Sequence, residues 1–295
     1  MNLKSGFISI IGKPNVGKST LLNYLLEEKI AIVSNKPQTT RNKILGIKNT
    51  TCSQMIFLDT PGIHKAKSQL NKYMVKEAIK ACGDVDIILF LVEANTGIGD
   101  KDQFVIEAIE KVKSPIILVI NKIDLIRKES LLPLIDQFSK LYNLNRIVPI
   151  SALSGEGVDK LIEEIEQLLP FGPQYFPEDM ITDLPERFIV AEIIREKVFR
   201  LTSQEIPYSV AVVIDAFKER ENADTIFISA TIHVEKISQK GILIGKKGSM
   251  LKQIGTMARF DIEKLLGAKV YLELRVRVEK DWSKNIRVLG KMGYK

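Results

Sequence analysis

The alternation of apolar runs with helical patterns over the first 170 residues is the strongest constraint on the fold. Nearly continuous apolar runs are typical of strands buried on both faces of a mostly parallel sheet, so the pattern predicts a doubly wound α/β domain. Strands are expected at Phe7–Ile11, Gln54–Leu58, Ile87–Val92, Ile116–Ile120 and Ile147–Ile150. Helices are expected near 18–27, 68–82, 101–113, 130–142 and 157–169.

A proline-rich segment separates this domain from a second pattern. Residues 171–187 contain three prolines and follow a fourth at Pro170. Because proline cannot sustain a helix and stiffens an extended chain, we expect a domain at 1–170, a linker at 171–187 and a second domain at 188–295. The alternative is a long surface loop inside one domain. The second domain follows an α-β-β-α-α-β order and ends in a basic helix, which indicates a small α+β unit.

Charge and composition narrow the class of protein. Residues 236–295 carry fifteen Lys/Arg against five Asp/Glu, a net charge of +10, while the rest of the chain sums to −3. Such a basic segment favours a polyanionic partner, although a solvated lysine-rich surface gives the same count. Two cysteines and two histidines rule out a disulfide framework and disfavour a histidine metal site, and we expect a cytoplasmic protein without a membrane span.

A phosphate-binding loop follows the first strand. The run Gly12-Lys13-Pro14-Asn15-Val16-Gly17-Lys18-Ser19 fits the pattern G-x-x-x-x-G-K-[ST] and opens a helix. Backbone N–H groups of such a loop surround phosphate oxygens, and the helix N-terminus favours negative charge. We expect Lys18 to reach the β- and γ-phosphates and Ser19 to bind Mg²⁺. The alternative is a glycine-rich turn without a ligand, which the strand before the loop and the helix after it disfavour.

Two further motifs follow strands. Asp59-Thr60-Pro61-Gly62 comes after Gln54–Leu58, where a carboxylate would hold Mg²⁺ and the Gly62 amide would contact the γ-phosphate. Asn121-Lys122-Ile123-Asp124 comes after Ile116–Ile120. The Asp124 carboxylate would accept hydrogen bonds from N1–H and the exocyclic amine of guanine, a donor pair that adenine lacks. Lys122 would lie along the base, Asn121 would brace the loops, and Ser151-Ala152-Leu153 would offer a backbone N–H to guanine O6.

These four motifs, in this order, resemble those of the translation-factor-like GTPases. The resemblance places Thr40 on Mg²⁺ and the γ-phosphate within a first switch loop, with Thr39 beside it. For both threonines a plain polar loop is the alternative reading. The residues expected to contact GTP or GDP are Gly12, Lys13, Pro14, Asn15, Val16, Gly17, Lys18, Ser19, Thr20, Thr39, Thr40, Asp59, Gly62, Asn121, Lys122, Asp124, Ser151, Ala152 and Leu153. The expected magnesium ligands are Ser19, Thr40 and Asp59, and the expected catalytic residues are Asn15, Lys18, Thr40 and Gly62.

The position after Asp59-x-x-Gly62 bears on catalysis. Some GTPases place a glutamine there to orient the attacking water, but this chain has Ile63. Related GTPases without that glutamine use an asparagine in the phosphate loop to bind K⁺, and Asn15 occupies that loop. The resemblance therefore implies slow hydrolysis that K⁺ stimulates. A loop-shaping role for Asn15 is the alternative.

The second domain contains a G-x-x-G loop at Gly245–Gly248. With the element order and the basic charge, it resembles a KH domain, in which this loop approaches the nucleic-acid backbone and apolar neighbours form a groove for about four nucleotides. For the apolar members, ordinary core packing is at least as good a reading. The expected RNA-binding residues are Ile242, Ile244, Gly245, Lys246, Lys247, Gly248, Met250 and Leu251.

Together the two domains and their linker resemble the Era family of GTPases over nearly the whole chain. That resemblance implies binding of RNA rather than DNA near the 3′ end of 16S ribosomal RNA and a role in maturation of the 30S subunit. It also implies a weak peripheral contact with the cytoplasmic membrane, and we expect a monomer. Two other functions stay open: a metabolic kinase or ATPase, which the Asp124 motif disfavours, and an RNA-binding protein with a structural, non-hydrolysing nucleotide site.

Overall fold

A computed structural model describes residues 3–64, 68–96, 99–110, 112–139, 144–203, 205–220 and 223–294. The chain forms two compact units. The first comprises Met1–Ala31, Thr40–Ala66 and Met74–Asp183, and the second comprises Ile32–Thr39, Lys67–Tyr73 and Leu184–Lys295. The division therefore does not follow the sequence order, because two short segments from the first half of the chain belong to the second unit.

The first unit is built on a six-stranded sheet within the described residues, with strand order β2-β3-β1-β4-β5-β6. Its strands are β1 Lys4–Gly12, β2 Ile44–Asn49, β3 Ser53–Asp59, β4 Ile87–Glu93, β5 Ile116–Asn121 and β6 Arg146–Pro149. All neighbours pair in parallel except β2 and β3. The expected mostly parallel, doubly wound sheet is confirmed. Because β1, β3, β4, β5 and β6 share one direction, their carboxyl ends lie at one edge.

Within the described residues, five helices alternate with these strands along the chain: α1 Lys18–Leu26, α2 Gln69–Lys80, α3 Asp100–Ile109, α4 Leu131–Ser139 and α5 Val158–Leu168. The first residues of α2, up to Tyr73, belong to the second unit. Each helix begins within about three residues of its expected start, because apolar residues at helical spacing mark the face that packs on the sheet. Residues 140–142 of the expected fourth helix lie outside the described residues. One core cluster joins Ile63, Phe90, Val105 and Phe138, all nearly inaccessible to solvent.

The antiparallel edge strand β2 was missed by the sequence reading. It is short, Gly46 interrupts its apolar residues, and polar residues flank it on both sides, so its apolar pattern is weak. Its outer edge is covered by the proline-rich segment: Ile47 N–H donates to the Ile181 carbonyl at 2.7 Å, and the Thr182 hydroxyl donates to the Leu45 carbonyl at 2.5 Å. The cover removes an open sheet edge, which would otherwise invite pairing with another chain.

The buried side chain of Gln54 fastens the same segment. Its Oε1 accepts hydrogen bonds from the backbone N–H groups of Tyr175 and Phe176, at 2.8 and 3.0 Å, and its Nε2 donates to the Phe176 carbonyl at 2.8 Å. Residues 171–183, expected as a linker, are therefore packed against the first unit. Proline lacks a backbone N–H, but the other residues of this segment keep theirs. The extended segment can therefore form hydrogen bonds with the edge of a sheet.

The second unit packs helices on one face of a three-stranded sheet, within the described residues. Its elements are α6 Glu186–Leu201, β7 Ala211–Arg220, β8 Ala223–Val234, α7 Ile237–Ile244, α8 Ser249–Leu266, β9 Lys269–Val278 and α9 Ile286–Lys291. Strands β7 and β8 are antiparallel, whereas β8 and β9 are parallel. The expected α-β-β-α-α-β order is confirmed. The basic helix expected near Asp281 is instead a 3₁₀ turn followed by the six-residue α9.

Helix α6 is unusual because charged residues are buried along it. Glu192, Arg195, Glu196 and Lys197 each expose 7% or less of their surface. They are paired: Arg195 Nη2 contacts Glu192 Oε2 at 2.5 Å, and Lys197 Nζ contacts Glu196 Oε2 at 2.9 Å and also Asp261 of α8. Such pairs offset the cost of burying charge only when geometry and hydrogen bonding are good, so removing one partner destabilises strongly.

The segment Ile32–Thr39 accounts for part of this burial. Arg195 Nη2 donates to the Thr39 carbonyl at 2.5 Å, and Glu196 Oε1 accepts from Val33 N–H at 3.3 Å. The Lys36 ammonium group donates to the carbonyls of Phe199 and Thr202 at the C-terminal end of α6. A cation at that end also interacts favourably with the helix dipole.

Candidate functional site

The phosphate loop occupies the carboxyl end of β1 and the start of α1. Asn15 has a left-handed backbone at φ 66°, and Gly17 at φ 103° precedes the first residue of α1, Lys18. Asparagine adopts this conformation more readily than most residues with a side chain. The local sequence therefore turns sharply out of the strand and leads the backbone N–H groups into the first turn of the helix, where Thr20 also lies.

Lys18 lies buried at the centre of this loop. Its ammonium group donates to the carbonyls of Gly12 and Lys13, at 3.2 and 3.0 Å. Burial lowers the pKa of Lys18 to about 8, although the nearby Asp59 carboxylate opposes this shift. Burial likewise raises the pKa of Asp59 to about 6, and Lys18 opposes that shift. A bound polyphosphate would supply negative charge to Lys18, which would raise its pKa again.

Three oxygen atoms meet beside Lys18. The Ser19 hydroxyl shares a hydrogen bond with Thr40 Oγ1 at 2.7 Å and donates to Asp59 Oδ2 at 2.6 Å. The other oxygen, Asp59 Oδ1, is buried and has no hydrogen-bond partner among the described residues. Hydroxyl and carboxylate oxygens are the ligands that Mg²⁺ prefers. An unpaired buried carboxylate oxygen in such a group fits a divalent cation. Elsewhere in the described chain, no cluster of three or more His, Cys, Asp or Glu side chains could hold a metal.

The Asp59-Thr60-Pro61-Gly62 loop is fixed against the phosphate loop. The Thr60 hydroxyl donates to the Ile10 carbonyl at 2.8 Å, and Ile63 N–H donates to the Gly12 carbonyl at 3.2 Å. A Cβ on Gly62 would lie 2.6 Å from Pro14 N, so only glycine allows this approach. Ile63 is completely buried in the core, which excludes a water-orienting role for its side chain.

The candidate base-binding loop is Asn121–Asp124, and Asn121 braces it as expected from the sequence. Its Nδ2 donates to the Val16 carbonyl at 2.7 Å, and its Oδ1 accepts from Ala152 N–H at 2.9 Å. One side chain thus connects three loops at the edge of the sheet. Asp124 is exposed, so its carboxylate is accessible to a ligand.

The Ser151-Ala152-Leu153 loop differs from expectation in one respect. The Ala152 N–H, expected to serve guanine O6, already donates to Asn121, so a bond to O6 would compete with it. Ser151 is buried, and its Oγ accepts from Ser154 N–H at 3.3 Å, which shapes the loop. Leu153 exposes 79% of its surface and contributes no buried contact.

Two residues expected at the nucleotide have side chains directed elsewhere. The Lys13 ammonium group donates to Thr96 Oγ1 at 3.0 Å and to Asp102 Oδ2 at 3.2 Å. Only the backbone of Lys13 is therefore positioned to contact a phosphate. The Thr39 hydroxyl donates to the Lys36 carbonyl at 2.7 Å, and the residue belongs to the second unit. Residue spacing cannot show these orientations, which depend on partners distant in sequence.

The G-x-x-G loop connects α7 and α8 in the second unit. Gly245 has φ 71°, and a Cβ there would lie 2.8 Å from Met250 Cβ, so the tight turn requires glycine. Lys247 also has a left-handed backbone, at φ 53°, and both Lys246 and Lys247 are exposed. The loop thus presents two cations to solvent on a fixed turn.

The apolar residues near that loop divide into two groups. Ile242 exposes 50% of its surface, which suits a groove wall. Met250 and Leu251 pack against the hydrophobic core of the unit and are partly buried, as the alternative reading held. Ile244 is partly buried. Of the apolar residues expected at RNA, Ile242 is the most accessible.

Sequence reasoning missed Glu93 and Asp102, both close to the phosphate loop. Glu93 ends the otherwise apolar strand β4, and Asp102 lies in the first turn of α3. A charge that closes an apolar strand was the available signal. That signal is weak, because charged residues often end buried strands where the chain reaches solvent.

Family models match both units. A model described as a 50S ribosome-binding GTPase matches residues 7–122, and a KH domain model matches residues 205–283. With the phosphate loop and the braced base loop, these matches define a P-loop GTPase that carries a C-terminal KH domain.

Relatives and solved structures narrow the class further. GTPase Era of Geotalea uraniireducens is 58% identical over 291 residues, which cover 99% of this chain and 98% of that protein. GTPase Era of Syntrophus aciditrophicus is 57% identical, with coverage of 99% and 95%. The chain therefore belongs to the GTPase Era family. A crystal structure of an Aquifex aeolicus Era variant bound to GDP·AlF4⁻ superposes with a TM-score of 0.96, at 45% identity and 99% coverage of both chains.

We predict that Asp124→Asn converts guanine preference into xanthine preference. The amide cannot accept both hydrogen bonds from guanine, whereas xanthine offers a carbonyl in place of the amine. Two hydrogen bonds to a charged group contribute about 3 kcal/mol, so GTP affinity should fall roughly 100-fold or more. Titration calorimetry with GDP and XDP checks this. Unchanged GDP affinity in the variant would show that Asp124 does not read the base.

Proposed function

We propose that this protein is a GTP-hydrolysing switch that binds single-stranded RNA near the 3′ end of 16S ribosomal RNA and acts in assembly of the 30S subunit. The group formed by Ser19, Thr40 and the half-satisfied Asp59 carboxylate, beside buried Lys18, carries the proposal. Family membership supports hydrolysis. A further neighbour, described as Era in complex with MgGDPNP and nucleotides 1506–1542 of 16S ribosomal RNA, is 46% identical with a TM-score of 0.97.

Mg²⁺ would be held by Ser19, Thr40 and Asp59. When bound, the ion would neutralise negative charge on the phosphates. The chain's own groups would do the rest. Lys18 would balance charge on the β- and γ-phosphates, and the Gly62 amide would donate to the γ-phosphate. Catalysis would come from positioning and electrostatics, since phosphoryl transfer needs little covalent chemistry from the protein.

The main alternative is an RNA-binding protein whose nucleotide site is structural. We predict that Lys18→Ala lowers GTP turnover by about 100-fold or more, because it removes a buried cation from the transferring phosphate. Phosphate release under multiple-turnover conditions is the measurement, and Lys160→Ala, an exposed lysine of α5, is the control. Turnover that is equal in wild type and Lys18→Ala would favour the structural alternative.

We further propose that Asn15 binds K⁺ next to the phosphates, in place of a water-orienting glutamine. Asn15 is exposed on the loop, while Ile63 is enclosed in the core. A monovalent cation there would offset charge that develops in the transition state.

Wild-type turnover should therefore be faster in K⁺ than in Na⁺ at equal ionic strength. Asn15→Gly should abolish the difference, because glycine keeps the left-handed backbone and removes the amide. Steady-state rates in the two salts check this. Equal wild-type rates in K⁺ and Na⁺ would refute the K⁺ site. A K⁺ effect that persists in Asn15→Gly would show that groups other than the Asn15 side chain bind the ion.

Nucleotide state should control RNA binding through the segment Ile32–Thr39. This segment belongs to the second unit, where Lys36 and the Thr39 carbonyl contact α6. The next residue, Thr40, lies beside Ser19 in the first unit. Loss of the γ-phosphate would release Thr40 from the nucleotide site, and this would change the conformation of the adjoining segment Ile32–Thr39. The switch loop would then bias the unit that binds RNA.

We predict that a non-hydrolysable GTP analogue and GDP give RNA affinities that differ about 5-fold or more, a typical coupling between sites. Lys36→Gln should reduce this difference, because the amide cannot replace the cation at the end of α6. Lys43→Gln, an exposed lysine three residues beyond Thr40, is the control. Fluorescence anisotropy of a labelled RNA measures both. Identical affinities in the two nucleotide states would refute the coupling.

The RNA site would be the G-x-x-G loop with Lys246, Lys247 and Ile242.

No helix among the described residues combines the length and apolarity needed to cross a bilayer. We propose a cytoplasmic monomer that prefers RNA to DNA, and a weak peripheral contact with the membrane through its basic C-terminal segment. Binding to anionic and neutral vesicles would separate that contact from RNA binding.

A further inference from the structure

The Glu93 carboxylate forms ion pairs with one lysine of the phosphate loop and one of the base-binding loop. Glu93 is the last residue of β4, and the six residues before it are buried and apolar. Its own side chain is only 13% exposed. A carboxylate so nearly buried carries a large desolvation cost unless cations compensate it. Its position at the strand end therefore calls for partners.

Two lysines from different loops pair with Glu93, and the Thr96 hydroxyl also donates to its Oε2 at 3.4 Å. Its Oε2 lies 3.5 Å from the ammonium group of Lys13, and its Oε1 forms an ion pair with Lys122. The Lys13 side chain is 11% exposed and the Lys122 side chain 30% exposed, so both pairs are partly shielded from water. Charge pairs in such surroundings are less screened by salt than pairs on the surface.

The two lysines differ in how they are held. Lys13 has a second carboxylate partner, Asp102, whose side chain is 1% exposed, and it also donates to Thr96. The salt bridge of Lys122 described by the structure is the one to Glu93. Loss of the Glu93 charge would therefore leave Lys13 paired and would release Lys122.

Lys122 begins the turn that carries Asp124. Its backbone is left-handed, at φ 66°, and it precedes the 3₁₀ turn Ile123–Leu125. Because Glu93 holds its ammonium group, the Lys122 side chain is restrained at both ends. Ordering the side chain before a ligand arrives removes part of the entropy cost of binding.

We infer that Glu93 is a positioning residue for guanine nucleotides, which fixes Lys122 and connects the base-binding loop to the phosphate loop through Lys13. It acts in parallel with Asn121, which connects the same two loops through the Val16 carbonyl. In this arrangement Glu93 would act on the nucleotide through Lys122 and not by direct contact. The inference rests on the proposed guanine-nucleotide site and assigns a positioning residue to it.

The test compares Glu93→Gln with wild type for GDP and GTP binding and for turnover. Glutamine keeps the shape of the side chain and removes the charge. The dissociation constants of GDP and GTP should rise together, by about 10-fold, through faster release, because Lys122 is no longer ordered. The turnover number at saturating GTP should stay within about 2-fold of wild type, since Lys18 and the Asp59 group are unchanged.

Three controls separate positioning from a merely structural role. Glu110→Gln, an exposed glutamate at the end of α3, should change nothing. Glu93→Asp should retain part of the affinity, because the charge remains but the shorter side chain reaches one lysine at a time. Thermal unfolding of the nucleotide-free variants shows whether each folds, and an affinity loss that follows the loss of stability across these variants would overturn the inference.

A double-mutant cycle gives the decisive result. Lys122→Met removes the ammonium group and keeps the aliphatic stem. Glu93→Gln should then have little further effect on GDP affinity in the Lys122→Met background. An equal effect in both backgrounds would overturn the inference, as would unchanged affinity in Glu93→Gln alone. Failure of the wild type itself to bind GDP would instead refute the proposed function, and the inference with it.

Discussion

The buried Lys18 cation and the Asp59 carboxylate, held at one edge of a parallel sheet, are the interaction on which the rest of the site depends. Each shifts in pKa because it is withdrawn from water, to about 8 and about 6, and each partly compensates the other. Without a ligand, these two buried charges are only partly compensated. The arrangement is suited to a polyphosphate and a divalent cation, which together supply the missing charges of both signs.

The parallel sheet makes this arrangement possible. Strands that share a direction end at one edge, so motifs separated by tens of residues meet there. The end of β1 carries the phosphate loop, the end of β3 carries Asp59, and the end of β5 carries Asn121. Asn121 then connects three loops, because its Nδ2 donates to the Val16 carbonyl and its Oδ1 accepts from Ala152 N–H. The strand ends therefore support the loops of the candidate site from below.

The second unit is organised around the buried charges of α6. Arg195 and Glu196 bind backbone groups of the segment that precedes Thr40, so this helix holds residues from the first half of the chain. Buried ion pairs are costly to break singly, so loss of one charge along α6 would destabilise this unit strongly.

Much of this was visible in the sequence. Apolar runs and helical spacing predicted five of the six strands of the first sheet and all of its helices, and the motif order predicted which residues gather at the strand ends. The exceptions are instructive. Strand β2 was missed because it is short and contains Gly46, and its pairing with β3 and residues 180–182 depends on neighbours that no local pattern shows.

The sequence by itself determined the fold class, the strand-end loops and the residue types of the candidate nucleotide and RNA sites, because these follow from local periodicity and short spacing. Only the tertiary structure decided where side chains point: Lys13 towards Asp102, Thr39 towards Lys36, and Glu93 between two lysines. The physical reason is that a long polar side chain chooses its partner by charge and distance in space. Sequence spacing does not record that choice.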